Sequence, residues 1–130
     1  MGCTVNHIQL ICRDLQTMVD FFTDNFDAKL VIKRKHRTAD GVDLNLGGTL
    51  ISLRVRFEDE ELVDDISIKT YGYHHIGITV DDVDKKFKEM VDKGFASWFP
   101  PKKGLYVARC AGVVGPDNVA IELLTERKWN

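Results

Sequence analysis

"VNHIQLICRDL", residues 5–15, and "YHHIGITVDDV", residues 73–83, are one phrase written twice. Setting His7 on His75 places Ile8 on Ile76, Leu10 on Ile78, Asp14 on Asp82 and Leu15 on Val83. In each copy a short, apolar, β-prone run is followed at once by an aspartate. An Asp carboxylate accepts from the free amides of a first helical turn, so Asp14 and Asp82 read as helix N-caps. Leu15, Met18, Val19, Phe22 and Phe26 then recur at helical spacing; so do Val83, Phe87, Met90 and Val91, before Gly94 stops the second helix. Positions 15, 19 and 22 fall on 83, 87 and 90 at the same offset, so the correspondence runs well past the opening phrase.

Strand-like stretches follow each helix. The first half offers "KLVIKRK", "GVDLNLG" and "GTLISLRVRF"; the second offers "ASWF", "GLYVARCAG" and "NVAIELLT". Each half is therefore β-α-β-β-β. This predicts an α+β fold of two βαβββ modules, with curled mixed sheets and helices on the outer face. Module 1 covers about residues 4–57 and module 2 about 73–127, joined by an acidic connector over 58–72. Six carboxylates lie between Glu58 and Asp65 and read as a solvated link. A single half is too small to bury a helix and a sheet well, so the chain is expected to be one domain in which both halves take part.

Composition narrows the class. The chain has 130 residues, 44% hydrophobic and 29% charged, as an ordinary globular protein has. A net charge of −2 offers no basic field for nucleic acid, and the local cluster "IKRKHR" (32–37) reads as a solvated strand and turn. No run is long and apolar enough for a membrane span, and no signal-peptide pattern opens the chain. Three cysteines (Cys3, Cys12, Cys110) without CxxC spacing fit a reducing cytoplasm better than a disulfide scaffold or a cysteine zinc site.

Alternation along the strands sorts the polar residues. If Ile76, Ile78 and Val80 pack beneath the helix, His75, Gly77 and Thr79 face the other side. In the first copy His7, Gln9 and Ile11 share that side. In the last strand Ile121 and Leu123 belong to the core, which sends Glu122 to the face of the histidines. His7, His75 and Glu122 thus form the donor set expected of a divalent metal site. His74 has the opposite parity and reads as structural or exposed. The same parity sends Ser52, Arg54 and Arg56, with Asp43 and Asn45, to the open face. Arg54 could neutralise a substrate carboxylate or phosphate, and Asp43 is the spare carboxylate that could serve as a base. Gln9, Asn45, Ser52 and Arg54 are the candidate substrate contacts. Arg109 and Tyr106 have opposite parity, so at most one of them lines the site. Trp98, Phe99 and Pro100–Pro101 are expected at a hydrophobic rim or in the core.

With "NHIQLICRDL", "HHIGITVDDVD" and the closing "GPDNVAIEL", the chain resembles the vicinal oxygen chelate superfamily over essentially its whole length. That group includes glyoxalase I, methylmalonyl-CoA epimerase, extradiol dioxygenases, fosfomycin-resistance thiol transferases and the metal-free bleomycin-binding proteins. The resemblance implies paired modules around a metal held by His7, His75 and Glu122, which would also be catalytic. In many small members of the group a homodimer shares each site, so a homodimer is expected, with the modules pairing within a chain or between chains. Glyoxalase I and the epimerase carry a fourth ligand, Glu or Gln, where this chain has Ser52. Three donors with open positions instead match the dioxygenases and the fosfomycin enzymes. The expected function is a metal-dependent enzyme on a small, two-oxygen substrate, of lactoylglutathione lyase-like or related type, with Fe, Mn, Zn, Ni or Co as the ion. An Fe(II) ring-cleaving dioxygenase is the first alternative and a bleomycin-resistance-like binding protein the second. Neither a nucleic acid nor a membrane is expected as partner.

Overall fold

The computed structural model describes residues 2–63 and 68–127, so residues 64–67 of the acidic connector lie outside the described residues. Contacts divide the chain into two units, residues 1–63 and 64–130. Each has the expected βαβββ order. The first contains β1 (His7–Cys12), α1 (Leu15–Phe26), β2 (Lys29–His36), β3 (Ala39–Leu46) and β4 (Thr49–Val55). The second contains β5 (Ile76–Thr79), α2 (Val83–Asp92), β6 (Ala96–Lys103), β7 (Arg109–Val114) and β8 (Ala120–Thr125). A short 3₁₀ turn, Pro116–Asn118, precedes β8.

The two sheets have the same topology, β1-β4-β3-β2 and β5-β8-β7-β6. In both, the first strand pairs parallel with the last and the remaining pairs are antiparallel. A parallel partner cannot be reached by a hairpin, and the helix between the first and second strands starts the necessary crossover.

Both helices start as the sequence predicts. Asp14 accepts from the Thr17 amide at 2.8 Å and Asp82 from the Lys85 amide at 3.0 Å. The hydrogen bond from the Thr17 amide also holds the Asp14 carboxyl below its ordinary range. Gly94 (φ 102°) ends α2, with the Phe95 amide donating back to the Met90 carbonyl. α1 ends instead at Asp27, in the left-handed conformation at φ 55°. Asp tolerates that geometry better than most residues, and no glycine marks the stop.

Met18, Val19, Phe21 and Phe22 of α1 are buried, as are Val83 and Met90 of α2. Beneath them lie Val42, Leu44, Ile51 and Leu53 in the first unit, and Ala111, Val113, Ile121 and Leu123 in the second. Val91, expected on the buried face of α2, is exposed at 38%, and the stripe this helix buries is narrower than its apolar spacing suggests. Two strand limits also differ from the sequence reading. β6 continues through Pro100 and Pro101 to Lys103, with its register shifting on both sides of Phe99. It is an edge strand, where a missing N–H need not break a ladder. β7 starts at Arg109, and the turn before it includes Gly104, Leu105 and Tyr106.

No helix among the described residues is long and apolar enough to cross a membrane.

Candidate metal centre

Register decides which side chains stand in a row across each sheet. Glu122 pairs with Gly77, two residues past His75, and on its other side with Gly112. Ser52 pairs with Gln9, two residues past His7, and on its other side with Asp43. Ser52 therefore occupies in the first unit the place Glu122 occupies in the second.

In the second unit, His75 Nε2 and Glu122 Oε2 are 4.0 Å apart, with side chains 32% and 24% exposed. Two donors bound at about 2.0–2.2 Å to one ion stand roughly 3–3.5 Å from each other, a spacing that a side-chain adjustment of under about 1 Å would give this pair. Glu122 also lines a cleft of about 820 Å³ bordered by Phe99, Lys102, Lys103, Tyr106 and Cys110. The floor depends on Gly112. A Cβ there would come within 2.6 Å of the Phe99 ring and 2.7 Å of Trp98, so only glycine lets both rings lie across β7. Trp98 also packs on the imidazoles of His74 and His75, at 5.4 and 5.3 Å between ring centroids.

His7 of the first unit is exposed, and its Nδ1 lies 2.8 Å from Asn6 Oδ1. Ser52 and Asp43 are buried, and the serine hydroxyl donates to Asp43 Oδ1 at 2.8 Å. Arg34 pairs with the other oxygen of Asp43 at 2.7 Å. Among the described residues, no three His, Cys, Asp or Glu side chains come together in a group that could hold a metal ion. The donors present, imidazole nitrogens and one carboxylate, suit a borderline divalent ion such as Zn, Mn, Fe, Co or Ni.

Arg54 is buried, and its fork is closed on Glu60, at 2.6 and 2.8 Å. Its Nε donates to Gln9 Oε1 at 3.1 Å and its guanidinium lies over the Phe57 ring at 3.8 Å. The bidentate contact expected for a substrate anion is thus made by a carboxylate of this chain. Asn45 caps the Gly47–Gly48 turn, accepting from the Gly48 amide at 2.8 Å. Arg56 is exposed and donates to the carbonyls of Phe57, Glu58 and Glu60. Of the opposite-parity pair, Tyr106 borders the cleft while Arg109 is bound to Asp84 of α2. Sequence reasoning missed Lys102 and Lys103, which lie beyond the expected end of β6, and the contacts of His74. The signal for the lysines is a basic pair directly after two prolines.

The hydrogen bond from Arg54, with one from the Phe57 amide, pulls the Glu60 carboxyl down from 4.5 to about 2. A group depressed in the folded state contributes stability that is complete above its unfolded value and lost as pH falls through its folded one. Glu60→Gln is therefore expected to flatten the acid-unfolding curve between about pH 4.5 and about pH 2, followed by circular dichroism. Superimposable curves for the two proteins would mean that the pair does not support the folded state.

A family model described as the glyoxalase/bleomycin resistance protein/dioxygenase superfamily matches residues 4–123. Among curated proteins a sequence search finds no match. Solved structures share the fold. One is a glyoxylase/bleomycin resistance protein/dioxygenase domain from Frankia sp. EAN1pec, with 23% identity, coverage of 98% of this chain and 100% of that one, and a TM-score of 0.78. Another is the fosfomycin resistance protein FosX from Mesorhizobium loti, with 23% identity, coverage of 98% and 94%, and a TM-score of 0.72. A third is a mutant of FosX from Listeria monocytogenes complexed with Mn(II) and a dihydroxypropylphosphonic acid, with 20% identity, coverage of 98% and 95%, and a TM-score of 0.74.

Proposed function

Since the chain belongs to the glyoxalase/bleomycin resistance protein/dioxygenase superfamily, we propose that it is a divalent-metal-dependent enzyme acting on a small molecule that offers two neighbouring oxygens. The observation that carries this reading is the approach of His75 Nε2 to Glu122 Oε2, in a register that the first module repeats with His7 and Ser52. His7, His75 and Glu122 would hold the ion, with the modules of one chain or of a homodimer supplying them. The Mn(II) bound by the Listeria protein supports a divalent ion in this fold. Such an ion supplies Lewis acidity toward oxygens on which negative charge develops.

The protein's own groups would do the rest. Lys102 and Lys103 border the cleft beside Glu122 and would attract an anionic substrate group. The Trp98 and Phe99 rings would present an apolar wall that restricts water. Ser52 is a poorer ligand than a carboxylate, but its bond to Asp43 provides a proton acceptor on the neighbouring strand. Asp43 would thus serve as the base, acting through the Ser52 hydroxyl rather than directly. Glyoxalase-like lyase or isomerase work and fosfomycin-resistance chemistry of the FosX kind all fit this arrangement. With Ser52 in the fourth place only three protein donors remain, the set of non-haem iron oxygenases, and this favours a ring-cleaving dioxygenase as the second reading.

Elemental analysis of the protein purified without a metal-binding tag tests the proposal. About one divalent ion per chain is expected. Iron would direct assays to oxygen uptake with catechols; manganese, zinc, nickel or cobalt would direct them to lyase, epimerase and thiol- or water-addition reactions. Negligible metal, persisting after dialysis against each ion, would overturn the enzyme and leave a small-molecule binding protein.

A further inference from the structure

The two candidate imidazole ligands share a feature outside the donor set: in each, Nδ1 is engaged by the side chain of the preceding residue. Asn6 Oδ1 lies 2.8 Å from His7 Nδ1, and His74 Nδ1 lies 2.9 Å from His75 Nδ1. A neutral histidine can bind a metal through Nε2 only when the proton sits on Nδ1, and the partner of Nδ1 decides this. We propose that Asn6 and His74 are positioning residues that fix the tautomer and ring orientation of His7 and His75. This rests on the metal-site reading above.

The two positions solve the problem differently. An amide oxygen can only accept, so at position 7 the proton must be on Nδ1, leaving the Nε2 lone pair unprotonated. At position 75 two imidazoles face each other through Nδ1, and one of them must donate. If His75 donates, its Nε2 lone pair points toward Glu122 Oε2, and His74 carries its own proton on Nε2. If His74 donates, His75 Nε2 is protonated and faces the carboxylate as a donor, 4.0 Å away. Module 1 is thus set for an ion in advance, whereas module 2 must choose the competent arrangement. Trp98, packed on both rings of the pair, holds them in the orientation the exchange requires.

Nitrogen NMR of the histidine rings tests this in the metal-free protein, independently of whether an ion binds. His7 is expected as the Nδ1–H tautomer, and Asn6→Leu is expected to move it toward the Nε2–H form that free histidine favours. Asn6→Asp, which keeps an acceptor, is expected to restore it. Titration with Zn²⁺ alone, by calorimetry, is the second readout. His74→Phe keeps a ring against Trp98 but removes the acceptor, and should weaken binding about 10–100-fold. His74→Asn installs the first module's solution in the second and should preserve or raise affinity. Wild-type His7 found as Nε2–H, or a tautomer unmoved by Asn6→Leu, would overturn the proposal. So would a His74→Asn protein that binds Zn²⁺ as weakly as His74→Phe. Correct tautomers without Zn²⁺ binding would uphold the positioning and instead refute the metal reading.

Discussion

Glu122→Ala is expected to give a folded protein whose affinity for Mn²⁺ or Zn²⁺ is lower by about 100-fold or more. Loss of an outer partner of a ligand typically costs about 10–100-fold, and loss of a ligand itself should exceed that range. The residue invites a simpler explanation, an ordinary ion pair with His75. Magnitudes separate the two. A partly exposed pair is worth about 0–1 kcal/mol to folding, so on that account Glu122→Ala would shift the unfolding midpoint slightly and leave metal content unchanged. On the ligand account the metal content falls while the metal-free protein unfolds much as before. Calorimetric titration with circular dichroism as the folding control reads both quantities. Undiminished affinity in Glu122→Ala would remove the carboxylate from the metal site.

Phe22→Ala is expected to destabilise the chain by about 3–5 kcal/mol, the range for deleting a fully enclosed aromatic ring. Phe22 has no exposed surface, and its ring meets Phe21 edge-on at 5.1 Å between centroids. α1 packs against β3 and β4, so truncation opens a void over the strands that carry Asp43 and Ser52. The neighbouring Phe21 and Phe26 are held by the same helix and can close over only part of it. Against a total stability of about 5–15 kcal/mol for a domain, such a loss leaves a protein close to unfolding. Urea unfolding supplies the number, and a loss below about 1 kcal/mol would mean that the helix is not anchored at this point.

The duplication makes much of this legible. The repeated phrase ties two helix caps and two apolar stripes to one pattern, and strand parity then groups Gln9, Ser52 and Asp43 on one face and Gly77 with Glu122 on another. What parity cannot show is which partner a long side chain takes. It assigns Arg54 to the correct strand, but the fork closes on Glu60, a residue of the connector whose position no periodicity encodes. Asn45 has the inward parity of Asp43, yet the turn two residues on captures its side chain. His74 differs in parity from His75, which makes it look irrelevant to the site. It is exposed, as parity suggests, yet its imidazole turns along the chain to meet its neighbour's, Nδ1 to Nδ1 at 2.9 Å. The extent of β6 is hidden for the opposite reason: two prolines read as a stop, although at a sheet margin they are tolerated.

Those prolines also bear on how the protein behaves when crowded. A sheet grows by recruiting another chain through the unpaired N–H groups along its rim. Along β6, Pro100 and Pro101 have none to offer, and the register shifts around Phe99 distort the ladder further. Recruitment at that margin is hindered at two of the eight positions, and the opposite edge of the second sheet, β5, is a strand of only four residues. A sequence feature that looks like an interruption thus makes this edge a poorer template for a further strand.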